Sequence, residues 1–338
     1  MMADETLPFE LIAHLDPATH RPEAHRQRLA RRQLPRFLSD HHYAARYYRP
    51  SDDLLLAINM ALHTGSPLLL TGEPGTGKTQ AAAFVGAYFG IEVYTFVVKS
   101  TSTAQDLLYE FDAVGYLHWA QAAGSRAAVS QDPAPEASQD ETQAVRRGFL
   151  HKRALWQAYD DPHDSVLLID EIDKAPRDFP NDLLHELDQH SFPHPFAPHE
   201  LIRPQCGRPP LVIVTSNEER RLPEAFLRRC MFHRIDLTPE LVAAAVESLA
   251  REGAAPGAGG GGFFPHLAPA VRQAAQQRFW ELRRLPGLDK KPSTAELLTW
   301  LCILSARGIT AADLTSCRLK ELPGLAALIK DHADRERL

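Results

Sequence analysis

The sequence is poor in cysteine, with four residues in 338: Cys206, Cys230, Cys302 and Cys317. They lie far apart and form no C-x-x-C pair, which argues against a thiolate zinc site or a disulfide framework and fits reduced thiols in the cytoplasm. Long apolar runs are also missing. None approaches the roughly 20 residues that a membrane-spanning helix needs, so no membrane partner is expected. The opening MMADETLPFE is acidic where a secretion signal would be basic, so a cytoplasmic location is expected. Neither sign of charge dominates. A net charge of −6 provides no global field for nucleic acid or an anionic surface, and a nucleic-acid partner is not expected.

What is present suffices for about two domains, at roughly 100–200 residues each. Residues 1–45 form a polar extension rich in arginine and histidine, with Arg21, Arg26, Arg28, Arg31, Arg32 and Arg36 in HRPEAHRQRLARRQLPRF. No aromatic residues interleave with these arginines, which favours a solvated helical segment over a nucleic-acid arm. Residues 46–240 change texture. SDDLLLAINMALHTG has Ser51 as an N-cap candidate, acids in its first turn and a closing Gly65, so it reads as an amphipathic helix. Short apolar runs then alternate with helical patterns: PLLLT, IEVYTFVV, SVLLID, PLVIVTS and FHRIDL. Runs this continuous indicate strands buried on both faces, hence an α/β fold with a five-stranded parallel sheet between helices. Residues 241–338 have a purely helical pattern and read as a smaller, all-helical domain. Two segments are too polar or too glycine-rich to order themselves: an insertion at about 122–146, centred on Ser125 to Gln143, and the linker 253–262. Both are expected to be mobile.

GEPGTGKT, Gly72 to Thr79, matches G-x-x-x-x-G-K-[ST] at every position and lies between a strand candidate and a strong helix former. The turn of Gly72, Glu73, Pro74, Gly75, Thr76 and Gly77 would bring a helix N-terminus and backbone N–H groups, from every residue except Pro74, onto a phosphate. Lys78 would neutralise the β- and γ-oxygens, and the Thr79 hydroxyl would ligate Mg²⁺. A plain turn requires neither the lysine nor the hydroxyl. In SVLLIDEID, Asp170 and Glu171 emerge at a strand's C-terminal end, where parallel sheets bind ligands. Asp170 is suited to hold Mg²⁺ through water, and Glu171 to act as general base on the water attacking the γ-phosphate. Asp173 and Lys174 follow and read as structural or interfacial. PLVIVTSN ends in Asn217, a neutral amide able to bond both water and phosphate. The absence of an NKxD signature favours ATP over GTP. His185, His190, His194 and His199 suit no single helix face and are broken up by prolines, so no metal site is expected of them.

LPEAFLRRC ends in Arg228 and Arg229, and no acid nearby in sequence is placed to pair with both. The order of GEPGTGKT, LLIDEID, VTSN and LPEAFLRRC resembles that of AAA+ ATPases. LLLTGEPGTGKT, FPNDLLHELDQHSF and TSNEERRLPEAFLRRC resemble the MoxR branch in particular. The resemblance is close over about Tyr47 to Leu237. It implies a P-loop AAA+ core followed by a helical lid, and an arginine finger at Arg229, with Arg228 the second choice, reaching a neighbouring subunit's γ-phosphate. The competing reading is an arginine that caps helix carbonyls. The resemblance also implies a homo-oligomeric, hexameric ring with a protein client such as a von Willebrand factor A domain protein. Two insertions come with it: one around STAQDLLYEFDAVGYLHW, and a hairpin in FPHPFAPHELIRPQCGRPP.

The lid departs from the family pattern. Ser293 and Glu296 form a capping box in KKPSTAELLTWL, which puts Ala295 where the family carries an arginine. Either Lys291 supplies that cation or the contact is absent. The sequence thus describes a MoxR-like ATPase that remodels or activates a protein. The alternatives are an ATP-regulated assembly switch in a bacterial signalling or defence complex and, with less support, a nucleic-acid-associated motor.

Overall fold

The computed structural model describes residues 22–30, 35–129, 145–251, 264 and 267–338. The 253–262 linker and residues 130–144 of the polar insertion lie outside this set. Residues 125–129 of that insertion lie in the helix Ala113–Val129.

The described residues form nine strands: β1 Leu68–Thr71, β2 Val93–Val97, β3 Tyr109–Phe111, β4 Leu150–Lys152, β5 Val166–Asp170, β6 Phe192–His194, β7 Ala197–Ile202, β8 Leu211–Ser216 and β9 Met231–Arg234. Five of them build one sheet in the order β2-β5-β8-β1-β9, with every neighbouring pair parallel. Each of the five overlaps one of the five apolar runs of the sequence, although β9 ends at Arg234, before the IDL of FHRIDL. The central strands β1 and β8 are buried throughout, and so is β5 up to its last residue. The edge strands β2 and β9 differ from the expectation of burial on both faces. They are only partly covered, and Val97 and Phe232 are 50% and 61% exposed. Burying a leucine such as Leu68, Leu70 or Leu167 contributes roughly 1.5–3 kcal/mol each, which is the main source of the sheet's stability. The two expected insertions are antiparallel pairs, β3 with β4 and β6 with β7.

The described residues fall into two compact units. One comprises Asp52–Gly72 and Ala81–Ile235 and contains the whole sheet. Its core joins Leu69, Leu167, Ile169, Val212 and Val214 to Trp156, Phe179 and Phe192. The other comprises the described parts of Met1–Ser51 and Asp236–Leu338 together with the short stretch Glu73–Gln80. Its core is helical, formed by Pro239–Arg251, Pro269–Arg284 and Thr294–Ala306 around Phe279, Leu301 and Trp300, whose indole N–H donates to the Pro323 carbonyl at 2.7 Å. The polar extension is not wholly solvated as expected. Phe37 is 6% exposed and meets the Phe264 ring edge-on at 6.0 Å within this core. The lone aromatic in LPRF outweighs the arginines around it, because a buried phenylalanine is stabilised far more than a solvated arginine is.

Candidate functional site

The motif residues occur in both units. β1 ends at Thr71, and the chain turns through Gly72–Gly77 into the 12-residue helix Lys78–Phe89. Gly72, Gly75 and Gly77 all take positive φ in this turn, and at the last two there is also no room for a side chain. Gly75 has φ +77°, and a Cβ there would lie 2.6 Å from the Ser293 hydroxyl oxygen. Gly77 has φ +94°, and its Cβ would lie 2.8 Å from the Tyr48 ring. An L-residue would therefore meet both backbone strain and a clash at either position. Burial holds the Tyr48 phenol far above its ordinary range, so it faces the loop uncharged. The Glu73 carbonyl accepts from Lys78 Nζ at 2.9 Å and from the Thr76 hydroxyl at 3.0 Å. Lys78 is buried, at 6% exposed, so its charge is fixed inside the loop. Three features of an anion site therefore coincide here: a helix N-terminus, a glycine-rich turn and an enclosed cation.

In the sheet-containing unit, β5 delivers Asp170 and Glu171 to the C-terminal edge. The Thr215 hydroxyl, at the end of β8, donates to Asp170 Oδ1 at 2.5 Å and accepts the Glu171 N–H at 2.9 Å. Thr215 thereby orients both acids, a role that sequence reasoning missed. The signal lay in the register: β5 pairs Ile169 with Val214, so Asp170 follows on beside Thr215. Glu171 sits at φ 62°, ψ 48°, a left-handed conformation that is costly for a non-glycine residue and that turns the chain sharply after the strand. The Lys174 ammonium donates to its carboxylate at 2.6 Å, and that bond raises the lysine's pKa.

Asp173 is 2% exposed, and its two oxygens accept the N–H groups of Asn217 and Glu219, each at 3.2 Å. Read from sequence as structural or interfacial, it holds the loop that carries Asn217. A buried carboxylate is tolerated here because backbone N–H groups replace its hydration.

Arg228 and Arg229 follow the short helix Glu224–Leu227. No single acid pairs with both, but each has an acidic partner of its own. Arg228 pairs with Glu224 one turn back, and both side chains are about three-quarters exposed. Arg229 Nε bonds Asp188 at 2.5 Å, and its Nη1 donates to the Ala225 carbonyl at 2.9 Å. Asp188 lies on the helix Leu184–Gln189, far from Arg229 in sequence, so composition around LPEAFLRRC could not reveal it. With 43% and 37% of the two side chains exposed, this pair contributes at most about 1 kcal/mol to stability.

In the helical unit the Ser293–Glu296 capping box forms as expected. Ser293 N–H donates to the Glu296 carboxylate at 2.7 Å, and the serine hydroxyl accepts in return. Lys291 and Ala295 are both exposed. Among the described residues, no three His, Cys, Asp or Glu side chains gather as a metal site, and no helix is long and apolar enough to cross a membrane.

A sequence profile described as "ATPase family associated with various cellular activities (AAA)" matches residues 68–238, just over half of the 338. No curated protein matches the chain. Among solved structures, a candidate ATPase from Cytophaga hutchinsonii is similar at 14% identity, covering 80% of this chain and 79% of its own, with a TM-score of 0.38. The Thermotoga maritima RuvB Holliday junction branch migration motor is similar at 14% identity, covering 77% and 71%, with a TM-score of 0.30. The family assignment rests on the profile match, which spans all of β1 through β9.

Proposed function

Since the chain belongs to the AAA family of ATPases, we propose that it binds Mg·ATP at the Gly72–Thr79 loop and hydrolyses it to drive changes in a protein partner. The observation carrying this reading is the loop itself, with positive-φ glycines at 75 and 77 leading into a helix that opens on an enclosed Lys78. The donors proposed for the metal, the Thr79 hydroxyl and the Asp170 carboxylate, are hard oxygens of the kind Mg²⁺ takes. When bound, the ion would neutralise charge on the β- and γ-oxygens. The loop amides and Lys78 hold the phosphates, Glu171 takes a proton from the attacking water, and Asn217 orients that water against the γ-phosphate.

The test is calorimetric titration with Mg·ATP. The wild-type chain binds at micromolar nucleotide and Lys78→Ala does not, because it lacks the loop's fixed cation. Equal affinity of the two proteins would remove the site.

Asp173 gives a second, smaller effect. Asp173→Ala frees the Asn217 loop without touching the phosphate loop, so kcat should fall roughly tenfold, equivalent to about 1.4 kcal/mol of barrier, while nucleotide affinity holds. A matching loss of affinity would show that Asp173 supports the unit as a whole.

The motifs shared with the MoxR branch favour a ring-forming remodeller with a protein client, of which a von Willebrand factor A domain protein is the first candidate. One observation favours the assembly switch instead: Lys174 engages the carboxylate of the proposed base, which suits slow basal turnover. Client titration separates the two. A remodeller turns over repeatedly and faster with client, whereas a switch hydrolyses slowly and keeps a stable ATP-bound complex.

A further inference from the structure

Arg283 lies in the last turn of the helix Pro269–Arg284, and its side chain is only 9% exposed. Its guanidinium donates to the Pro292 carbonyl at 2.5 Å and pairs with the carboxylate of Glu73, the second residue of the phosphate-binding loop. The Phe279 and Trp280 rings lie 5.9 and 5.8 Å from its central carbon. A planar cation held by a carbonyl, a carboxylate and two aromatic rings has little freedom to move.

Glu73 is gripped at both ends, because its backbone carbonyl is the acceptor for Lys78 and Thr76. Its carboxylate is 52% exposed at the mouth of the loop. A negative charge in that position would repel a polyphosphate, and Arg283 cancels it. Loop and helical unit also touch at Gly75 and Ser293, so the fork from Arg283 spans a tight contact. The exposed Ala295 supplies no charge.

We propose that Arg283 is the charge-compensating and positioning residue of the phosphate site: it neutralises Glu73 so that the loop accepts a triphosphate. This rests on the nucleotide-binding reading given above. Three charge states of the pair follow. The wild-type pair is neutral, Arg283→Ala leaves one negative charge, and Glu73→Gln leaves one positive charge.

The experiment is titration of the full chain with fluorescent ATP and ADP analogues. Arg283→Ala should bind the ATP analogue roughly tenfold more weakly, the effect of about one unit charge at partly screened short range. ADP, with less charge, should lose less. Adding Glu73→Gln to Arg283→Ala should restore affinity to within a few-fold of wild type, because the pair is neutral again. Arg283→Lys should fall between, retaining the charge and losing the fork. Wild-type affinity in Arg283→Ala overturns the proposal, and so does a double variant as weak as the single one with an intact circular dichroism spectrum. If Arg283→Ala does not fold, Glu73→Gln decides alone: a few-fold gain for the ATP analogue supports compensation, and an unchanged or weaker affinity overturns it. Absence of nucleotide binding by the wild-type chain would instead overturn the nucleotide reading itself.

Discussion

Glu171→Gln should bind Mg·ATP as the wild-type chain does and hydrolyse it roughly 10²–10⁴-fold more slowly, the usual cost of removing a positioned acid–base group. The substitution is nearly isosteric. The Glu171 N–H still donates to Thr215, whose hydroxyl still orients Asp170, so the proposed metal partner is undisturbed. The left-handed backbone at this position is also the same for Gln as for Glu, so no new strain enters. Only the proton acceptor is lost. Single-turnover hydrolysis together with equilibrium binding checks both halves of the statement. A wild-type rate would mean another group accepts the proton, and lost binding would mean the carboxylate supports the site rather than the chemistry. Lys174 sharpens the comparison, since its ion pair with Glu171 is removed by the same substitution. If that pair restrains the base at rest, Lys174→Met should raise basal turnover, the opposite direction from Glu171→Gln.

The parts of the molecule that were legible in the sequence are those encoded by local pattern. β1, β5 and β8 read as continuous apolar runs because they are buried on both faces. The phosphate loop read as a motif because glycine is demanded at Gly75 and Gly77 by φ and by Tyr48 and Ser293 overhead. What was not legible depends on partners distant in the chain. Thr215 serves Asp170 only because β5 and β8 are adjacent and in register. Asp188 meets Arg229 only once the helix Leu184–Gln189 is folded. Arg283 belongs to no motif, and basic residues at a helix end are common because they offset the helix dipole. Its pairing with Glu73 depends on packing that no local window contains. Phe37 shows the opposite error, a strong local polarity hiding one apolar anchor.

Arg229→Ala should lose roughly 10³–10⁵ of the ATPase rate if its guanidinium stabilises charge on a neighbouring subunit's γ-phosphate. Within one chain it is held by Asp188 and the Ala225 carbonyl. Those bonds alone predict something much smaller, a stability change of about 1 kcal/mol with catalysis intact. The two readings separate by more than two orders of magnitude in rate. Mixing adds a qualitative test. Arg229→Ala keeps a phosphate loop and lacks a finger, whereas Lys78→Ala keeps a finger and lacks a working loop, so each is inactive alone. Where the two meet in an assembly, one interface carries every group. Activity should therefore reappear on mixing, rise with protein concentration and scale with the fraction of mixed interfaces. Arg228, whose Glu224 partner is on its own exposed turn, should show the smaller loss when changed to alanine. If native mass spectrometry shows subunit exchange while the mixture stays as inactive as its parents, Arg229 does not act across an interface. Its bonds to Asp188 and Ala225 would then be its whole role.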